Sequence, residues 1–553
     1  MQYFRNPLGI PMQLSANFGE LRSNHWHMGL DIRTNKKENQ PVYAAAGGHI
    51  AKVGIRAQSF GRFIIIEHPN GLSTLYAHLN DFFPELEAYV TEQQYSRESW
   101  AVELDFTPGQ FPVQKGKFIA YSGNTGGSGG PHLHFEIFNT TTGKRLNPQL
   151  FFRFPVSDPL PPTIVRLALY NRDLSLYEQS PQLYVAGKTR EGYLIPGQDI
   201  IRTGVQKLSV AIQAYDKYHA SGSPNGILSA TLYENDREIV GFVLDSIGYD
   251  ETLYMNAHID YRHDHGGGVY LQHLSKLPGD KGPVYREAAG NGIIVLTDTL
   301  VRNFRVEVKD AYGNLSELKF ALQFDSSRVT EPASPPASPA LMPGVPAVFS
   351  QPGFELQIGE NAFYDRAQPV YETDPGMSTY AVTPVHHIRG DYIPVHEKFL
   401  VRIKPGREIP GAWENKILIQ RQGKNTSVEI AEWKDGWLQA TFGDFGSFQA
   451  FADIVPPVFN DPGKGDTINL SASRRLFFTP RDNFGIKSFR AELDGKWIRF
   501  TNDKGRNWIY MFDERCPYGV HHLKVTVEDL AGNVTTREWW FRRNPYTPKK
   551  KRK

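Results

Sequence analysis

Five short runs within the first 152 residues, PVYAAAGGHIAKVGI, GRFIIIEH, LSTLYAHL, KGKFIAYSG and HLHFEIF, set the narrowest limit on the fold. Each alternates or runs apolar, and glycine-rich breaks separate them, which is the signature of strands rather than helices. Glycine and proline together account for 88 of 553 residues, a balance that favours many turns and short strands. The chain is therefore expected to be mainly β. One stretch departs from the pattern. Residues 82–112 read as an insertion between two strands, in which FPELEAYVTEQQYSRES has the character of a short helix.

At about 100–200 residues per domain, this length suggests three to five domains. The first block covers 1–153, and after RFPVSDPLPPT the strands lengthen and histidines no longer cluster. Residues 326–346 (SSRVTEPASPPASPALMPGVP) cannot build a core and read as an extended linker. Across it runs an internal echo: VEVKDAYGNLSELKF (306–320) matches VTVEDLAGNVTTREW (525–539) as strand, Asp-x-x-Gly-Asn turn, strand. Asp caps such a turn, and Gly and Asn tolerate its positive φ. Double prolines at 161–162 and 456–457 open the two echoing blocks. Both blocks, 154–325 and 456–545, resemble bacterial immunoglobulin-like sandwiches. They bracket a β domain of unrecognised type at 347–455, and 546–553 forms a basic tail.

Composition excludes several function classes. Sixty-one basic residues against 59 acidic ones leave a net charge of +2, so no nucleic-acid partner is expected from electrostatics. A single cysteine, Cys516, rules out an internal disulfide framework, a Cys-rich zinc finger and an iron–sulfur site. No run approaches the roughly 20 apolar residues that span a bilayer. The opening MQYFRNPLGIPM has no basic stretch followed by an apolar one, so export would require a leader removed upstream.

Seven of the 17 histidines fall in the first block. In GPHLHFEI, His132 and His134 would share one face of a strand while Leu133 and Phe135 face a core. Such a pair is either structural or part of a site, because idle adjacent imidazoles cost desolvation and mutual repulsion. Upstream, NHWHMGLDIRT places His27 and Asp31 as H-x-x-x-D, two good ligands for a borderline metal. His78 closes the apolar run TLYAHL. A rival cluster, DYRHDHGGG (260–268), reads as an exposed turn.

The order H-x-x-x-D, PVYAAAGG, YAHL, SGNTGGSGGPHLHFEI resembles the M23 family of zinc metallopeptidases, the lysostaphin or LytM-type endopeptidases, over about residues 15–150. The resemblance implies an N-terminal antiparallel β-sheet domain with a groove over a Zn2+ ion, followed by about three β-sandwich-like modules. It implies metal ligands His27, Asp31 and His134, and two unligated active-site histidines, His78 and His132. That division makes chemical sense: a catalytic zinc keeps three protein ligands and one open position, so one histidine of the pair must stay free to handle a proton or an oxyanion. Either His78 or His132 could be the base.

The resemblance further implies hydrolysis of peptide stems or cross-bridges of bacterial peptidoglycan and a location in the cell envelope, periplasmic or exported. The C-terminal β modules would serve an envelope protein partner. The alternative is a non-catalytic or occluded LytM-like factor that binds the wall or regulates other wall hydrolases. The insertion at 82–112 departs from the family pattern and would be a packed lobe, a specificity wall or a lid over the groove.

Overall fold

The computed structural model describes residues 3–152, 158–218, 222–330 and 340–547. The fold is mainly β: an N-terminal antiparallel domain followed by β-sandwich-like modules. In the N-terminal domain the strands that position the site are β1 (Leu14–Ala16), β2 (Leu30–Arg33), β3 (Gly48–Ile55), β4 (Arg62–Glu67) and β5 (Leu72–Ala77). After helix α1 (Pro84–Ser96) come β6 (Val102–Asp105) and β7 (His132–Asn139). They lie side by side in the order β1-β2-β7-β5-β4-β3-β6, all antiparallel.

Alternation along these strands decides what each face does. On β7, Leu133, Phe135 and Ile137 go into the main core with Ile64 and Ile66 of β4 and Leu30 and Ile32 of β2. The intervening residues, His132, His134 and Glu136, fall on the opposite face. Register does the rest. His134 stands directly opposite Asp31 of β2 on one side and Ala77 of β5 on the other.

The insertion contains the expected helix. Leu86 and Val90 of α1 are fully buried in the domain core, with Pro84 in the first turn where its missing N–H costs nothing. Thr91, Gln94 and Tyr95 of α1 meet the last module instead. Arg499 donates to Thr91 Oγ1 (3.1 Å) and Gln94 Oε1 (2.6 Å), and Trp497 packs edge-on against Tyr95.

Packing also crosses the expected boundary near residue 153. Phe18, Trp26 and Met28 belong to the core of the second module, with Leu167, Val210, Phe242 and Ile259. Trp26 is completely buried there, its backbone N–H bonded to Thr252 Oγ1 (3.0 Å) and its ring against His258. The short strand Ser246–Ile247 of that module adds to the N-terminal sheet by pairing with Arg145–Leu146.

In the second module, β8 (Thr163–Asn171) and β9 (Lys207–Tyr215) pair in one sheet, while β10 (Arg302–Lys309) and β11 (Leu315–Phe324) form the long hairpin of another. The last module repeats that hairpin as β12 (Gly519–Asp529) and β13 (Val534–Arg543). Two five-stranded sheets make up the domain between them. DYRHDHGGG is not an exposed turn: Tyr261–His265 is helical, and Asp260, almost fully buried, caps it by accepting from His263 N (2.9 Å). Of the expected linker, residues 331–339 lie outside the described residues, and Leu341 is buried, bridging to Ala367. The basic tail from 548 onward also lies outside them. Among the described residues no helix is long and apolar enough to cross a membrane.

Candidate active site

Asp31 and His134 face each other across β2 and β7, and His27 arrives from the turn just before β2. Three atoms converge: His27 Nε2, Asp31 Oδ1 and His134 Nδ1. The separations are 3.0 Å between the imidazoles, 3.0 Å from His27 to Asp31 and 2.9 Å from His134 to Asp31. All three residues are buried. Gly29 between the first two is a steric requirement, since a Cβ there would stand 2.5 Å from Phe135 O and 3.1 Å from the His134 ring.

The other end of each ring fixes its tautomer. His27 Nδ1 lies 2.7 Å from Asn17 O, an acceptor, so Nδ1 carries the hydrogen. His134 Nε2 lies 2.9 Å from Glu136 Oε1 and likewise donates. His27 Nε2, His134 Nδ1 and Asp31 Oδ1 are then three lone-pair atoms about 3 Å apart, and something positive must stand among them. Without a metal it is a proton. Burial disfavours charge on His134, yet its hydrogen bonds to Asp31 and Glu136 outweigh that and lift its pKa to about 9. Burial also opposes charge on Asp31, but the surrounding histidines hold its carboxyl well below the usual range. A tetrahedral ion with bonds of about 2.0–2.1 Å wants ligand atoms roughly 3.3 Å apart, so two imidazole nitrogens and one carboxylate oxygen at these spacings fit zinc.

His132 and His78 lie beside the trio but are held differently. His132 Nδ1 donates to Gly130 O (2.8 Å), and its Nε2 is 3.4 Å from Asp31 Oδ1. His78 Nδ1 donates to Thr125 O (2.8 Å). Its backbone sits at φ 58°, turning the chain at the end of β5 so that the ring comes within 4.7 Å of His132 and 5.9 Å of His134, centroid to centroid. Burial, with the neighbouring His134 and His132, pushes the His78 pKa down to about 3. With Nδ1 committed, each ring keeps Nε2 for exchange with the site. The five residues expected from the sequence come together.

Asp31, His78 and His132 line a groove of about 740 Å³ whose walls also include Gln13, Arg33 and Gly129. None of its lining residues comes from the insertion at 82–112 or from the last module.

Residues 25–95 match the description Peptidase family M23. The N-terminal domain is an M23 peptidase domain. It is 33% identical over 152 residues to an uncharacterized metalloprotease of Haemophilus influenzae, covering 26% of each chain. It is 33% identical over 122 residues to the DD-carboxypeptidase/endopeptidase Mpg of Neisseria meningitidis, covering 22% of each. The chain therefore spans only about a quarter of the length of the curated relatives it matches. Among solved structures, the catalytic domain of lysostaphin from Staphylococcus simulans aligns at 23% identity and a TM-score of 0.19, over 25% of this chain and 91% of that one. Residues 343–453 match a Zu5-like domain.

Around the M23 site stand residues that the motifs do not announce. Arg22 binds Asp31 Oδ2 (2.6 Å), which leaves Oδ1 to the trio. Glu136, fully buried behind His134, also accepts from Arg145 Nε (2.8 Å) and from the hydroxyl of Tyr249, a residue of the second module. Glu136 was legible as the next position on the His132–His134 face; Arg22 and Tyr249 had no signal in spacing. The glycine-rich loop is gripped from the last module, where Asp503 Oδ1 accepts from Gly126 N (2.8 Å) and Lys504 Nζ donates to Ser128 O (2.6 Å). Gly126 has φ 70°, and a Cβ on it would stand 2.3 Å from Gly61 N.

Partners behind a metal-binding histidine typically matter by about 10–100-fold in metal affinity. Glu136→Gln removes the charge that holds His134 Nε2–H while keeping the shape. With His134 as a zinc ligand, affinity measured by chelator competition is expected to fall within that range, and an unchanged affinity would show that Glu136 serves packing alone.

Proposed function

We propose that the protein is a zinc-dependent endopeptidase acting on peptide stems or cross-bridges of bacterial peptidoglycan, in the cell envelope. The observation that carries this reading is the convergence of three lone-pair atoms beside two unligated histidines in an uncovered groove. His27 Nε2, Asp31 Oδ1 and His134 Nδ1 would hold the zinc. The ion supplies Lewis acidity that polarises the scissile carbonyl and makes water nucleophilic at neutral pH.

The chain's own groups do the rest. His78 and His132 are fixed through Nδ1 by backbone carbonyls, so each exchanges protons with the groove only at Nε2. The ring that stays a neutral imidazole would accept the proton of the attacking water at Nε2; the other, with a proton on Nε2 as well as Nδ1, would donate to the developing oxyanion. Because Asp31 is turned by Arg22 and His134 by Glu136, the site is oriented before substrate arrives. Gly129 and Gly130 present bare backbone to the groove, and a Cβ at either would meet nothing within 4 Å; the open space suits an extended peptide lying close.

An insertion that packs into the core and touches the last module, without lining the groove, supports catalysis over occlusion. Purified peptidoglycan incubated with the zinc-loaded full chain is expected to release new amino and carboxyl termini. A chain that holds zinc and releases none would instead be a wall-binding or regulatory factor.

A further inference from the structure

The two echoing modules share more than a turn. Each begins Asp-x-x-Pro-Pro (Asp158 and Asp453) and carries Asp-x-x-Gly-Asn in its long hairpin (Asp310 and Asp529). The fold brings these ends together and adds a third aspartate, Asp216 after β9 in one module and Asp482 in the other. Carboxylate oxygens of Asp158, Asp216 and Asp310, and separately of Asp453, Asp482 and Asp529, lie within 4.8 Å of one another.

The surrounding bonds repeat too. Asn314 Nδ2 donates to Asp158 O (2.7 Å) and to Asp310 Oδ2 (2.7 Å). Asn533 Nδ2 does the same to Asp453 O (2.9 Å) and Asp529 Oδ2 (2.8 Å). Ser316 and Thr535 each tie back to the second proline, both at 2.6 Å. Two unlike sequences have kept one geometry around three carboxylates.

Turn-making accounts for Asp310 and Asp529 and uses Oδ1 of Asp158, Asp453 and Asp482, but it leaves Asp216 and Oδ2 of Asp453 and Asp482 unexplained. Asp216 is 1% exposed, and among the described residues its Oδ1 has no hydrogen-bond partner; Asp453 is 0% exposed and its Oδ2 has none there, nor has Oδ2 of Asp482. A buried carboxylate oxygen left without a partner is unfavourable unless a cation meets it. Asp310 and Asp158 act on Asp216 with like charge, and in the other module the Lys416 amine donates to Ala531 O (2.9 Å).

We propose that these trios are two divalent-cation sites built for calcium, one in each echoing module. The donors are all oxygen, which selects a hard ion over zinc, and calcium bonds of about 2.3–2.6 Å allow ligand oxygens up to roughly 5 Å apart, more than the smaller magnesium accommodates. Each ion would tie the entry of its module to the turn of its last hairpin, stiffening the joints at residues 158 and 453.

Equilibrium dialysis of the zinc-saturated full chain against radioactive calcium, with magnesium in excess, tests this. Asp216→Asn and Asp482→Asn are the variants of choice, because asparagine can keep the bonds that Asp482 Oδ1 accepts from Phe484 N and Gly485 N, and neither residue holds the Asp-x-x-Gly-Asn turn. Wild type is expected to bind two calcium ions, each single variant one, and the double variant none. The ion kept by each single variant reports that the chain is still folded. A wild type that binds no calcium, or variants that bind as many ions as wild type, overturns the proposal and leaves trios that share protons.

Discussion

On the proposed reading, alanine at position 134 is expected to abolish both zinc binding and peptidase activity, while alanine at 132 should abolish the activity alone. His134 supplies one of three atoms that meet at about 3 Å, and its loss leaves His27 and Asp31 as an incomplete pair. Forfeiting the Lewis acid is worth several kcal/mol of transition-state stabilisation, so activity should fall by at least about 10³-fold. His132 stands outside that triangle, 3.4 Å from Asp31 through Nε2, and is anchored by Gly130 O. Removing a positioned acid or base typically costs about 10²–10⁴-fold, with no ligand lost. Metal content by mass spectrometry and turnover on purified peptidoglycan separate the two outcomes. If His132→Ala loses zinc as readily as His134→Ala, the division of labour between the histidines is wrong.

Much of the placement on which that proposal rests was legible because it depends on local rules. Period-two alternation placed His132 and His134 on one face, and the H-x-x-x-D spacing singled out His27 and Asp31. The helix at 84–96 declared itself by its proline start and by the polar, strand-poor run that follows. What the sequence hid is what arises only when distant segments meet. Tyr249 reaches Glu136 from another module, and Arg499 and Lys504 reach the insertion and the glycine-rich loop from the far end of the chain. The trios of aspartates were half visible: the Asp-x-x-Gly-Asn echo could be read, but Asp216 and Asp482 share no common motif. DYRHDHGGG misled because its polarity suggested exposure, whereas Asp260 is spent on capping and on Tyr170 inside the module.

The same cross-module packing makes the site hostage to acid. Trp26 and Met28, which flank His27, are buried in the second module, and Trp26 lies against His258. His258 is completely buried among Trp26, Phe242 and Tyr285, and burial pushes its pKa down to about 4. His273, equally buried and packed on Tyr170, is pushed down to about 3 by burial, then by Arg172 and His258. Both are neutral in the folded chain and take up protons near pH 6.5 when it unfolds. The unfolded state therefore binds more protons below that pH; the stability contributed by keeping them neutral is whole above about 6.5 and is lost as pH falls toward 4. At 1.36 kcal/mol per pKa unit, the two together withdraw roughly 5 kcal/mol by about pH 4.5, a large share of the 5–15 kcal/mol that holds a typical domain. Hydrogen-exchange protection factors for peptides spanning 255–275, measured on the zinc-free chain so that ligand protonation does not intrude, should collapse between pH 6.5 and 4.5. His273→Met should recover part of the loss, because methionine fills a similar volume and takes up no proton. Protection equal at both pH values would mean that the buried imidazoles find partners on charging, and that His27 is held by something other than the module into which Trp26 is pinned.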